Sequence, residues 1–177
     1  MTGEKRVLFF CSANSDIDPK YGQAAREIVR AAVSRGYTIV SGGTTKGMMN
    51  VIGEEAERCG GRHIGVLPHF MEPLRYPGLS ETVWADTMSA RKEAMRAGAG
   101  LVIALPGGIG TLDELFETLV LVKLGRYHAR VAALNLGGFY DPLEALLSHL
   151  VRSGMLAPRD KAILQLPESV EEVLAML

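Results

Sequence analysis

The sequence predicts an α/β fold, a Rossmann-like three-layer sandwich whose mostly parallel sheet is covered by helices on both faces. Two observations carry that expectation. Short apolar runs of strand length alternate with segments of helical periodicity along the whole chain. Glycine-rich turns follow two of those runs, and in a parallel sheet such turns gather at one edge. With 177 residues, 47% hydrophobic and 22% charged, residues 1–177 read as a single domain with a proper core. Repeats, low-complexity tracts and linkers are absent from the sequence.

The elements follow in order. Arg6–Cys11 (RVLFFC) reads as a first buried strand, and the polar turn after it runs without glycine to Asp18. Pro19 precedes a helix to about Arg35, with Ala24, Ala25, Ile28, Ala31 and Ala32 on one small-residue face and Gly36 at its end. Thr38–Ser41 is a second strand, followed by the turn Gly42-Gly-Thr-Thr-Lys-Gly47 and a helix from Met48 to about Cys59. His63–Pro68 is a third strand. Residues 69–87, punctuated by Pro73 and Pro77, read as a surface loop with a short strand at Thr82–Ala85. Met88–Ala97 is a helix stopped by Gly98, and Leu101–Leu105 is a fully apolar strand. Pro106 ends that run. Gly107, Gly108 and Gly110 turn the chain into a helix beginning at Thr111, with Leu112, Leu115, Phe116 and Leu119 in one stripe, ending near Leu124. Val131–Leu136 is the next strand. Asp141 as N-cap and Pro142 as first residue start a helix to Gly154, and Ser169-x-x-Glu172 is a capping box for a last helix.

Composition narrows the function classes. A formal net charge of −1 gives no footprint for nucleic acid. Apolar runs fall far short of the roughly 18–20 residues that span a bilayer, so no membrane partner is expected. The N-terminal MTGEKRVLFF enters a strand at once, leaving no room for a signal peptide, and Cys11 and Cys59 form no disulfide framework, so a cytoplasmic setting is expected. His63, His69, His128 and His149 have no metal-ligand spacing, and no metal or other cofactor is expected. His69, Tyr76, Trp84 and His128 read as packing or surface residues.

The chemistry concentrates in Leu101–Glu117. A strand turning through glycines onto a helix N-terminus makes an anion site, because free N–H groups and the helix dipole point at one spot. The bland alternative is a tight strand-to-helix connection. A dinucleotide fingerprint is excluded, since Gly108-Ile-Gly110-Thr-Leu-Asp113 ends in aspartate and the first turn lacks glycine. A P-loop is excluded too, since Met48 stands where its lysine belongs after Gly42–Gly47. Glu114 has two readings: a carboxylate facing a ligand, or a capping-box partner of Thr111. Asp113, one residue round the helix, points elsewhere. Met88, Arg91, Lys92 and Met95 share a helical face, where methionine gives a soft contact to a planar ring and Arg91 reaches an anion or carboxylate. The competing reading is an exposed basic pair beside half-buried methionines. Gly43 and Thr44 in the second glycine turn, and Ser12 in the first polar turn, fall at the same sheet edge and complete the candidate ligand-binding set.

With these residues in view, the chain resembles the LOG ("lonely guy") family. Pro106-Gly-Gly-Ile-Gly-Thr-Leu-Asp-Glu114 fits the PGGxGTxxE motif, Arg91-Lys92 matches the RK that precedes it, and the likeness runs from FFCSAN to the helix at Asp141. The resemblance implies a dimeric Rossmann-like hydrolase that cleaves AMP or cytokinin riboside 5′-monophosphates to free base and ribose 5-phosphate. It implies Arg91 and Glu114 as the catalytic pair. Gly107, Gly108, Gly110 and Thr111 would hold the 5′-phosphate, with Lys92, Met88, Gly43, Thr44 and Ser12 as further substrate contacts. An older lysine decarboxylase label attached to such proteins finds no support, since no lysine sits in a recognisable pyridoxal phosphate setting. Three stretches depart from the pattern: Gly42–Asn50 where members have GGGxxGLMG, Cys11-Ser-Ala-Asn14 where they have a CGSS-like turn, and Met88-Ser-Ala-Arg-Lys92 where they read MHERK. These surround the expected base and ribose, leaving the preferred base open. They also leave open a non-catalytic nucleotide or molybdenum-cofactor carrier of the same superfamily.

Overall fold

A computed structural model describes residues 4–177. Its centre is a seven-stranded sheet in the order β4-β3-β2-β1-β5-β6-β7. The strands are β1 (Arg6–Phe10), β2 (Thr38–Ser41), β3 (His63–Pro68), β4 (Glu81–Ala85), β5 (Ala99–Ala104), β6 (Arg130–Ala133) and β7 (Leu164–Gln165). All six ladders between them are parallel. The Rossmann-like expectation is therefore met, with a sheet that is parallel throughout.

Alternation along the strands explains the two cores. Val7 and Phe9 of β1 and Leu101 and Ile103 of β5 face one side, meeting α1 (Pro19–Ser34), α2 (Gly47–Arg58) and the C-terminal α7 (Val170–Leu174). Leu8, Phe10, Val102 and Ala104 face the other, meeting α3 (Met88–Arg96), α4 (Ile109–Lys123) and α5 (Asp141–Arg152). Each central strand is apolar on both faces because each face is covered. Of the small face read in the sequence, Ala24, Ala25, Ile28 and Ala32 are buried and let α1 lie close to the sheet, while Ala31 is half-buried at its margin.

The chain fills the sheet outward from β1, first through β2, β3 and β4, then back across to β5, β6 and β7. The crevice between the C-terminal ends of β1 and β5 is thus the topological switch point, where open α/β sheets bind ligands. No helix among the described residues is long and apolar enough to cross a membrane.

Local signals misplace several boundaries. α4 starts at Ile109, two residues before Thr111, with Gly108 as an extended N-cap that makes no side-chain cap bond. The expected capping box at Thr111 therefore does not form. Asp141 is the first residue of α5 rather than its cap, which is Tyr140, and its carboxylate accepts from Asn135 Nδ2 at 2.8 Å. Ser169 does cap α7, accepting from Glu172 N at 3.2 Å, but the Glu172 carboxylate reaches Glu168 N instead of returning to Ser169. Residues 69–87 carry more structure than expected, with a 3-10 turn at His69–Leu74 and β4 along five residues. The short α6 (Pro158–Lys161) and the two-residue β7 were not anticipated.

Candidate active site

A cleft of about 330 Å³ opens at the switch point. Its walls come from the turns after β1 (Cys11–Asn14), β2 (Gly42, Thr44) and β5 (Gly108, Gly110), and from α2, α3 and α4. Each turn is fixed by its own bonds. Ser12 Oγ accepts from Asn14 N at 3.0 Å, and Ser12 O accepts from Met48 N at 2.9 Å, joining the first turn to the start of α2. Ser41 Oγ accepts from Gly43 N at 3.1 Å and lies 2.8 Å from His63 Nε2, anchoring the second. In the third, Gly107 must lack a side chain, because a Cβ there would sit 2.1 Å from Thr111 Oγ1. Gly108 and Gly110 differ: a Cβ on either would meet nothing within 4 Å, so their backbone faces open space. The first N–H groups of α4 beside them have no intrahelical partners and no side-chain cap. That is an anion-accepting helix end with bare backbone around it.

Arg91 and Glu114 meet on the cleft's inner wall. Arg91 Nη1 donates to Glu114 Oε1 at 3.0 Å, and Arg91 Nε donates to the Val66 carbonyl of β3 at 2.9 Å. The side chains are only 8% and 13% exposed, so the pair sits in a medium of low dielectric. Burial raises the Glu114 carboxyl above the ordinary glutamate range, and the charge and hydrogen bond of Arg91 pull against that rise without cancelling it. The arrangement offers a carboxylate with raised proton affinity, oriented by a guanidinium that is itself pinned to backbone. Beside it, burial above all and then the Glu114 charge push the Cys11 thiol upward, keeping it protonated.

Several expected site residues line this cleft together: Arg91, Glu114, Gly108, Gly110, Thr111, Met88, Thr44 and Ser12. Three do not. Lys92 turns from the cleft to Asp113, at 3.0 Å, and to Glu117, because two carboxylates on α4 lie directly opposite it. Gly43 is buried at φ 68, and the missing Cβ is what admits the Cα of Gly65, 2.6 Å from where it would stand. Gly107 serves the packing of Thr111. The capping reading of Glu114 also falls, since its carboxylate is bonded to Arg91. Asp113, expected to point elsewhere, lines the cleft while held by Lys92.

Of the residues not singled out individually, Cys11, Asn14, Gly42 and Met49 fall in stretches expected around the base and ribose, whereas Met71 and the Val66 carbonyl were missed. A signal existed for some. Asn14 falls in the first polar turn and Gly42 beside Gly43, whereas Met71 comes from a segment with no periodicity. Four methionines, Met49, Met71, Met88 and Met95, line the cleft and give it a soft apolar lining, Met49 lying against the second turn at Gly42 and Thr44. Among the described residues, no group of three or more His, Cys, Asp or Glu is gathered to hold a metal ion, and no lysine lines this cleft.

Comparison with known proteins gives the chain a family. A family model described as "Possible lysine decarboxylase" matches residues 49–177. The cytokinin riboside 5′-monophosphate phosphoribohydrolase LOG7 of Arabidopsis thaliana is 33% identical over 98% of this chain and 81% of its own length. The chain belongs to the LOG family. A second LOG relative, the enzyme of the same name designated LOG in Oryza sativa subsp. japonica, is 34% identical over 98% of this chain and 72% of its own. Among solved structures, the molybdenum cofactor binding protein of Rippkaea orientalis superposes with a TM-score of 0.73 at 20% identity, covering 99% of this chain and 96% of that one. The molybdenum cofactor carrier protein of Chlamydomonas reinhardtii gives 0.72 at 20%, with the same coverage. These two share the fold.

Proposed function

We propose that the protein is a nucleoside 5′-monophosphate phosphoribohydrolase, cleaving the N-glycosidic bond of AMP or cytokinin riboside monophosphates to free base and ribose 5-phosphate. The observation that carries this reading is the buried Arg91–Glu114 pair, 3.0 Å apart, facing one cleft with the uncapped start of α4. The 5′-phosphate binds the open N–H groups and the bare backbone at Gly108 and Gly110, with Thr111 beside it. That fixes the ribose relative to Glu114, and such orientation removes much of the entropic barrier. A water held by Glu114 bonds to C1′ as the C1′–N bond breaks, and its proton passes to the carboxylate. The bond's electron pair stays on the base nitrogen, which takes up a proton from solvent as the base leaves, and Glu114 then returns its own proton to solvent. Positive charge on the ribose in this oxocarbenium-like state is stabilised by the nearby anion. The methionine lining receives the planar base.

Purified protein incubated with AMP, other nucleoside monophosphates and a prenylated analogue, with products separated by chromatography, tests the proposal. Free base from any of them is the expected result. Saturable binding without product across the panel would instead favour a carrier of nucleotides or of molybdenum cofactor, the role named for the fold's structural neighbours.

The protein is also proposed to act as a cytoplasmic homodimer. Ile109, Phe116, Val120 and Leu124 expose an apolar stripe along α4, with Ile109 88% exposed at the cleft's phosphate end. A second copy, the partner that the family resemblance implies, would cover it.

A further inference from the structure

We infer that Gly42 is a positioning residue of the cleft, its bare α-carbon being the clearance that lets Arg91 lie across the end of β2 and reach Glu114. This rests on the proposed reaction for its functional meaning, though not for its geometry. A Cβ built on Gly42 would stand 2.4 Å from Arg91 Nη2 and 2.6 Å from Met49 Sδ. Side-chain ends usually yield to such contacts. Here the guanidinium has nowhere to yield without loss, because Nε is bonded to the Val66 carbonyl and Nη1 to Glu114. Moving Nη2 means rotating a planar, rigid fork, which breaks both bonds together.

The adjacent glycines therefore have different tasks. Gly43 sits at φ 68 and against the backbone of Gly65, so a side chain there strains the fold. Gly42 is not among the residues of positive φ, and its close neighbours are two side-chain ends. Alanine at 42 keeps the backbone and disturbs the site. Nη2 itself makes no hydrogen bond among the described residues, while Arg91 lines the cleft. Gly42 thus keeps one donor of Arg91 available to an acceptor on the bound nucleotide.

The test is a double-mutant cycle on AMP hydrolysis with Gly42→Ala and Arg91→Lys. Gly42→Ala should still fold, melt somewhat below the wild type because the buried pair is disturbed, and lose about 10- to 100-fold in kcat, with a smaller change in KM. In the Arg91→Lys background, which lacks the fork, the same substitution should cost little more. An equal loss in both backgrounds, or full recovery on adding Met49→Ala, would overturn the inference. Should the wild-type protein release no base from any nucleotide, the proposed reaction fails and the geometry is read by NMR instead. The Arg91 Nε–Hε signal, protected by its bond to Val66 in the wild type, should shift and exchange faster in Gly42→Ala. An unchanged signal would refute the positioning role.

Discussion

Glu114 is a carboxylate with two competing influences, and the outcome sets its chemistry. Burial favours the protonated form, Arg91 the ionised one, and burial prevails. Since the proposed reaction needs the ionised form, activity should rise through an acid limb that lies above the ordinary glutamate range. The charged groups facing Glu114 are Arg91 and Lys92 from α3 and Asp113 from α4, with the neutral Cys11 thiol of the first turn beside them. A kcat/KM profile against pH checks this, and a limb at or below pH 4.5 would contradict it. Glu114→Gln should fold, bind AMP and lose base release by about 10²-fold or more. Arg91→Ala should lose both activity and stability, because removing one partner of a buried pair costs about 3–5 kcal/mol. Calorimetry compares it with Glu114→Gln, whose amide oxygen still accepts from Arg91 Nη1 but which leaves that buried guanidinium without its counter-charge, so both variants should melt below the wild type.

At the scale of elements, α3 and α4 are clasped by a row of opposite charges. Lys92 faces Asp113 and Glu117, and Arg96 donates to Glu117 at 2.9 Å. Lys92→Ala should therefore lower stability by about 1 kcal/mol while leaving KM for AMP within about twofold, since Lys92 holds helices and not substrate. Thermal melts and steady-state kinetics on the same preparation decide it. The exposed stripe of α4 yields a separate expectation: Val120→Glu should turn a dimer into a monomer in sedimentation. A wild-type protein that sediments as a monomer at micromolar concentration would remove that claim.

The same two helices show what spacing can and cannot reveal. The apolar stripe Leu112, Leu115, Phe116 and Leu119 of α4, of which all but the exposed Phe116 pack on the core, and the glycines before it were legible because they are local, and so was the adjacency of Arg91 and Lys92. The opposite fates of those two residues were not. They depend on which α4 carboxylates lie across the interface, 21 to 25 positions away in sequence. Thr111 and Glu114 have capping-box spacing, but a glycine in extended conformation began the helix earlier and left the box unused. β7 escaped notice because two residues carry no periodicity.

Across the whole molecule, the sheet's parallel order follows from strand–helix alternation, and the switch point between β1 and β5 follows from that order. Cleft and core are thus parts of one layout. Acid stability should report on two groups remote from the candidate chemistry. His63, buried with Nε2 against Ser41, is pushed down to about 4. It is held neutral, so its contribution is present above its unfolded value of 6.5 and is lost as pH falls towards 4. Glu55, under Arg58 of α2 and Arg30 of α1, is lowered to about 2, so its contribution is present above 4.5 and lost as pH falls below that. After allowance for the solvent around its half-exposed arginine partners, Glu55 contributes about 2 kcal/mol at neutral pH. Denaturant melts between pH 7 and pH 3 should show two successive losses, the first absent in His63→Asn and the second in Glu55→Gln.

The central claim is that one cleft both grips a 5′-phosphate and cleaves the glycosidic bond behind it. Its most direct test is a time course of wild-type protein and Glu114→Gln with AMP, following adenine and ribose 5-phosphate together. The two products should appear in equal amounts from the wild type and at least about 10²-fold more slowly from the variant, which still binds AMP. Wild-type protein that binds AMP and returns it intact would contradict the claim.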